Sequence, residues 1–449
     1  MKYVKIFKEG FKMAKKIILG TTKFEDLGPI LGFEDEQLEA KMARLFPLGN
    51  TTDENQTTSI FLSSLSAVKE YREDLLSELG INKIRNRNVS LHVFTEVYNE
   101  EQTERPDGLI VLTSGKNDPV IEWICFVEAK VKNNSLEATQ IERYIESGRS
   151  LGVDALITIS NEITTTPLES PILTKKAKGF DLFHWSWTYL KVMSTCQLRS
   201  NNIADEDHIY ILSELRRYFD SHKNILNFTN MGKEWKNAVQ TIHETDISKK
   251  VPQNDVYSVV SAYKQEEMDV ALQLTDNTSY YVHLLTKKNE DREESLANEI
   301  NQFRSMSSKF CLGSEKNNSF SVTVGLIRKD ITCQCLISIE KGKAQAQTTA
   351  LLKMLEPAST EDILITAIYP RNKSETPISL HDLYEEKKKQ LTYSFINKNY
   401  GDTIKHFEII MRKELGRDMT GTRNFVDQLE GLSENFLLQV VRYVMLGER

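Results

Sequence analysis

Arg105-Pro106-Asp107-Gly108-Leu109-Ile110-Val111 and, after a turn, Trp123-Ile124-Cys125-Phe126-Val127-Glu128-Ala129-Lys130 decide how this chain is read. An acid, Asp107, opens the first apolar run. A second acid, Glu128, closes the next, and Lys130 follows two positions later. Side chains alternate faces along a strand, so Glu128 and Lys130 point the same way and Ala129 the other. If the two runs pair as a hairpin, Asp107 comes close to both. Charged residues at the end of such apolar runs are seldom buried unless they are paired or hold a metal. Two carboxylates that share a divalent metal offset the charge of a phosphodiester and lower the pKa of a bound water. A neighbouring ammonium stabilises the extra charge of the transition state. A backbone carbonyl, that of Ala129 or of Val131, is a further oxygen donor within reach.

Working outward, a helical pattern runs from Thr51 to Leu79, with Ile60, Leu62, Leu65, Val68, Leu75, Leu76 and Leu79 at helical spacing and Gly80 as its stop. Three strands are expected at residues 89–97, 108–113 and 120–129, separated by turn-like residues 99–103 and 114–119. A helix over 136–151, a buried strand over 155–160, a short strand over 180–184 and a helix over 185–196 follow. The order is α-β-β-β-α-β, and a helix between the third and fourth strands permits a right-handed crossover into a mixed sheet.

Pro106-Asp107 followed by Glu128-Ala129-Lys130, in this strand context, resembles the signature of the PD-(D/E)XK nuclease superfamily. Gln140-Ile141-Glu142-Arg143-Tyr144 on the following helix resembles the QxxxY motif of its RecB-like and lambda-exonuclease-like branch. At i and i+4, Gln140 and Tyr144 share one helix face. The resemblance covers residues 51–200 and implies an α/β fold with a restriction-endonuclease-like α-β-β-β-α-β core. It also implies hydrolysis of phosphodiester bonds, in DNA, with Mg²⁺ or Mn²⁺ as cofactor. Asp107, Glu128 and Lys130 would be the catalytic residues, with Gln140 and Tyr144 beside them and Asp107 and Glu128 as metal ligands. Glu54 matches the position of an additional metal-binding acid in many members, although an acid at a helix start is also favoured by the helix dipole. The histidine that often precedes the core in RecB-like enzymes has no counterpart, because His92 falls on a strand. Superfamily members often dimerise to cut both strands, so a homodimer is expected alongside the nucleic acid.

Other residues invite functional readings that plainer ones outweigh. Glu96 reads as a solvated or cross-strand pairing residue. Lys132, Asn133 and Asn134 read as a solvated turn rather than phosphate contacts. Ser160 and Asn161 end the fourth strand near the same sheet edge. His184, Trp185 and Trp187 read as packing rather than as a base-stacking platform. Lys175, Lys176 and Lys178 form the basic cluster best placed for a nucleic-acid backbone.

The remaining sequence carries no motif of known chemistry. Residues 1–50 read as a lead-in whose basic start is a frayed helix, residues 201–400 as a second α+β domain, and 401–449 as a helical C-terminal segment. Within the second domain, runs at 269–274 and 279–285 are expected to form a hairpin, as are 320–327 and 331–339, with a strand at 363–369. The 449 residues exceed one ordinary core, and 40% hydrophobic with 27% charged residues are the proportions of a globular, cytoplasmic protein. No run approaches the roughly 20 apolar residues of a membrane span. Five cysteines without ligand spacing read as reduced thiols. A net charge of −7 excludes a globally basic nucleic-acid coat, though not a nuclease with one basic groove. No Walker-type phosphate loop is present. A nuclease fused to an unrelated module would suit bacterial defence or DNA processing. The alternative is a non-catalytic nucleic-acid-binding or scaffold protein that keeps a nuclease fold.

Overall fold

The computed structural model describes residues 45–46, 54–95, 105–116, 119–132, 136–287, 290–313, 317–358 and 362–448. The expectations for residues 1–44 and 47–53, for the turn at 99–103, and for Glu96, Asn133 and Asn134 lie outside the described residues. The protein is a mixed α/β structure with two sheets.

The helical pattern after residue 50 is two helices, α1 (Glu54–Ala67) and α2 (Lys69–Glu78), because Val68 between them is extended (φ −94°, ψ 102°). Both bury one apolar face, Phe61, Leu62 and Leu65 on α1 and Tyr71, Leu75 and Leu76 on α2. Gly80 has φ +83° and ends the segment as expected. Strands β1 (Val89–Thr95), β2 (Gly108–Ser114) and β3 (Val120–Ala129) form an antiparallel meander. Helix α3 (Ala138–Leu151) then crosses over, and β4 (Ala155–Ser160) and β5 (Asp181–Ser186) add in parallel, giving the order β1-β2-β3-β4-β5. Ile141, Tyr144, Ile145 and Gly148 on α3 pack against Phe126, Leu156 and Phe180, so α3 covers the sheet face that carries Phe126 and, two residues on, Glu128. Helices α4 (Trp187–Arg199) and α5 (Glu206–Ser221) close the unit. Trp185 and Trp187 are fully buried and each meets Phe61 edge-on at 6.0 Å, as packing residues.

Beyond these lie α6 (Trp235–Glu244), α7 (Gln253–Asn277), β6 (Val282–Leu284), α8 (Arg292–Phe303), β7 (Ser305–Leu312), β8 (Ser319–Gly325) and β9 (Asp330–Ile337). Helix α9 (Ala344–Met354), β10 (Ile363–Ile368), β11 (Ile378–Ser379), α10 (Leu380–Lys388), β12 (His406–Glu414) and α11 (Asn424–Phe436) complete the chain, with a π-helical turn at Leu437–Val441. The second sheet is antiparallel throughout, in the order β11-β10-β12-β9-β8-β7-β6.

Two sequence expectations are corrected here. The hairpin placed at 269–285 is the C-terminal part of α7 followed by the short β6, because Val256, Val259, Val260, Tyr263, Val270, Ala271 and Leu274 continue one helical stripe into the core. Residues 401–449 are not helical throughout. β12 runs through the middle of the sheet, with Phe407, Ile409 and Met411 buried in the same core as Trp235 and Phe425. The hairpin of β8 and β9 and the strand β10 lie where the alternation puts them. No helix of the described residues is long and apolar enough to cross a membrane.

Candidate active site

The register of the β2–β3 pair sets Gly108 opposite Val127, so Asp107, one residue before β2, arrives beside the end of β3. There the Ala129 N–H donates to Asp107 Oδ2 at 2.8 Å. Glu128 and Lys130 share a face, and the Lys130 ammonium donates to Glu128 Oε1 at 2.6 Å. Glu54, in the first turn of α1, reaches the same point. Its Oε2 accepts the Val131 N–H at 3.0 Å, and its Oε1 lies 3.8 Å from Lys130 Nζ. On the other side Gln140 Nε2 donates to Glu128 Oε1 at 2.9 Å and to the Tyr144 hydroxyl at 3.0 Å. The Tyr144 hydroxyl in turn donates to the Arg105 carbonyl at 3.0 Å, two residues before Asp107. All six residues singled out in the sequence therefore meet at one strand end.

The backbone here is held from outside. The Lys130 N–H donates to the Ile159 carbonyl at 2.7 Å, and the Trp187 indole N–H donates to the Lys130 carbonyl at 2.8 Å. Both neighbours come from the parallel half of the unit, so the crossover fixes the strand end on which Glu128 and Lys130 sit.

Three carboxylates thus face one ammonium in a largely dry setting, with the Glu128 side chain only 1% exposed and that of Lys130 16%. Burial, and next the Glu128 charge, push the Asp107 carboxyl up to about 7 against the opposing pull of the Ala129 N–H and Lys130. Burial alone would lower the Lys130 ammonium, but Glu128, Asp107 and Glu54 outweigh it and hold it above its usual value. Burial, and then Glu128, raise the Tyr144 phenol, which stays protonated as a donor. Glu128 Oε2 is buried and meets no hydrogen-bond donor among the described residues. A buried carboxylate oxygen without a partner is costly, and a hard cation is one of the few groups that satisfies it.

The weaker candidates fall elsewhere. Asn161 is a brace: its Nδ2 donates to the Lys132 and Asn224 carbonyls at 2.8 and 2.9 Å, and its Oδ1 accepts the Leu226 N–H at 3.1 Å. Ser160 is buried and caps the Glu162 N–H at 3.0 Å. Lys176 is paired with Glu142 and Glu146 at 3.4 and 2.7 Å. His92 stands on β1, 3.0 Å from the Thr113 hydroxyl. His184 is buried between Thr158 and the Glu162 carbonyl.

Sequence reasoning passed over Trp187 as a support for the Lys130 backbone, and it passed over Thr57. One turn after Glu54, Thr57 Oγ1 lies 3.1 Å from the Tyr218 hydroxyl and 3.0 Å from His222 Nε2, tying α1 to α5. Only the nearness in sequence of Tyr218, on α5, and His222, just past its end, hinted at the second. No protein-family model matches this chain, and no curated protein matches it significantly, so the site rests on its own geometry.

Proposed function

We propose that this chain is a metal-dependent nuclease that hydrolyses phosphodiester bonds in DNA, with residues 51–200 as a restriction-endonuclease-like core of PD-(D/E)XK type. The observation that carries the reading is the meeting of Glu54, Asp107, Glu128 and Lys130, from α1, the start of β2 and the end of β3, around a Glu128 oxygen that has no donor among the described residues. The donor set fits a hard divalent cation: three carboxylates against one ammonium leave negative charge that Lys130 alone does not balance. Glu54, Asp107 and Glu128 would hold Mg²⁺ or Mn²⁺, which when bound acidifies a water and offsets phosphate charge.

The protein's own groups have distinct tasks. The Lys130 ammonium, kept protonated by its acidic neighbours, stabilises charge that develops on the phosphoryl oxygens. Gln140 orients the Glu128 carboxylate, and Tyr144 anchors Gln140 to the segment that delivers Asp107. The Ala129 N–H fixes the Asp107 carboxylate.

The test is cleavage of linear, circular and single-stranded DNA, and of RNA, with Mg²⁺ or Mn²⁺, comparing the unaltered chain with Asp107→Ala and Lys130→Ala. Metal-dependent cutting that both substitutions abolish is the expected result, and the circular substrate separates end-dependent from internal cleavage. Folded protein that cuts none of these substrates would leave a scaffold with a nuclease-like core as the better reading.

A further inference from the structure

The long helix α7 buries three acids in its middle, and they are treated differently. Glu267 is paired: Arg292 donates to it through Nε at 2.8 Å and Nη2 at 2.5 Å, and the Ser308 hydroxyl donates at 2.6 Å. Glu266 and Asp269 are also fully buried, yet neither has an ion pair among the described residues. Among the described residues neither oxygen of Glu266 meets a hydrogen-bond donor, and nor does Asp269 Oδ1. Asp269 takes the Phe228 N–H, a long contact of 3.4 Å from Gln273 Nε2 and a carboxyl–carboxyl hydrogen bond with Glu430. A third carboxylate, Glu430 on α11, converges on them, and one oxygen from each of the three lies within 4.8 Å of the others.

Among the described residues no cation offsets this cluster, and Asp427 and Glu434 add more negative charge around Glu430. Burial raises Glu266 and Asp269 well above the usual carboxylate range, and it raises Glu430 to about 7. Two arrangements relieve such a cluster. The acids take up protons, or a cation sits among them. Ca²⁺–oxygen distances of about 2.3–2.6 Å let a single ion bridge oxygens up to roughly twice that far apart, and the three oxygens lie within 4.8 Å of one another. A cavity of about 220 Å³, with Gln273, Asn277, Asp427, Glu430 and Glu434 among its walls, reaches the cluster at Glu430, while Glu266 and Asp269 lie behind its lining.

We propose that Glu266, Asp269 and Glu430 bind a hard divalent cation, a site separate from the strand-end cluster, which fastens α11 onto α7. The all-carboxylate donor set selects Ca²⁺, Mg²⁺ or Mn²⁺ over the softer transition metals. The ion is structural: it holds the C-terminal helix against the longest helix of the second sheet's core.

The experiment is Mn²⁺ binding to the full-length chain carrying Asp107→Asn and Glu128→Gln, which disables the strand-end cluster, followed by competition with Ca²⁺ and Mg²⁺. One ion bound by this variant, and at least tenfold weaker binding once Glu266→Gln or Glu430→Gln is added, is the expected result. Circular dichroism checks folding, and Glu430, on the cavity wall, supplies the milder substitution should Glu266→Gln not fold. A chelator should lower the melting temperature of the Asp107→Asn/Glu128→Gln chain, and the preferred ion should restore it. No binding of any of the three ions, or binding that survives Glu430→Gln, overturns the proposal. So does a rise in melting temperature on Glu266→Gln without metal binding, which would mark the cluster as protonated acids.

Discussion

Gln140 Nε2 lies 2.9 Å from Glu128 Oε1, and through this one bond helix α3 holds the carboxylate at the end of β3. The same amide reaches the Tyr144 hydroxyl, so the two motif residues act as one support. Removing a partner that orients a metal-binding carboxylate typically costs 10–100-fold in metal affinity or activity. On the proposed nuclease reading, Gln140→Ala should therefore raise the Mg²⁺ concentration for half-maximal cleavage by about 10-fold or more, with DNA affinity unchanged. A metal titration that superimposes on that of the unaltered chain would reduce Gln140 to a polar surface residue.

Glu54 has two separable tasks. Its carboxylate accepts the buried Val131 N–H, and its charge belongs to the acidic set. Glu54→Ala leaves that N–H without an acceptor and should destabilise the fold by about 1–3 kcal/mol. Glu54→Gln keeps an acceptor oxygen and should unfold in urea like the unaltered chain while losing cleavage. Equal stability losses in both variants would rule out this division.

Asp276, at the end of α7, accepts from Arg216 at 2.8 and 3.0 Å, from Lys191 at 2.9 Å and from Thr195 at 3.0 Å, joining α7 to α4 and α5. Its side chain is 7% exposed. Asp276→Ala leaves Lys191 and Arg216 with only the half-exposed Asp220 as their anion, and chemical denaturation should show a loss of about 1.5–3 kcal/mol. The loss should appear for the unit built on the first sheet as well as for that built on the second.

His184 supplies a pH dependence. Burial lowers its imidazole to about 4, so the folded protein keeps it neutral where the unfolded chain, with an ordinary value near 6.5, takes up a proton. Stability is therefore full above about pH 6.5 and is lost as pH falls toward 4, by up to about 3 kcal/mol from this group. The difference in unfolding free energy between the unaltered chain and His184→Gln should change across that window and be flat above it. A difference that is constant from pH 7 to pH 4 would show that His184 titrates normally.

The strand-end cluster was legible because its signals are local. A period-two reading of residues 120–130 put Glu128 and Lys130 on one face, and an i, i+4 reading put Gln140 beside Tyr144. The hairpin then needed only a short turn to deliver Asp107. The errors came where a local pattern fits two periods. Asp269 to Leu274 alternates like a strand when read alone, and only the longer stripe from Val256 to Leu274 reveals the helix. In β12, adjacent Ile409 and Ile410 mask the alternation of Phe407, Ile409 and Met411, and Gly416 beyond the strand reads as a break between helices. The cluster of Glu266, Asp269 and Glu430 was invisible in the sequence, because packing brings Glu430 to helix α7 from a distant segment. The same is true of the Trp187 bond to the Lys130 carbonyl.

The place of β12 between β9 and β10 has a consequence for synthesis on the ribosome. The first sheet is finished once residue 186 has emerged, since each of its strands pairs with the one before it. The second sheet cannot close until residue 414 is out, because β9 and β10 have only β12 to join them. Until then β9 presents an open edge and β10 with β11 is unattached, a state prone to pairing with other chains. The nascent protein should thus carry a completed strand-end cluster on an unfinished companion, and the open edge of β9 is covered only when β12 arrives.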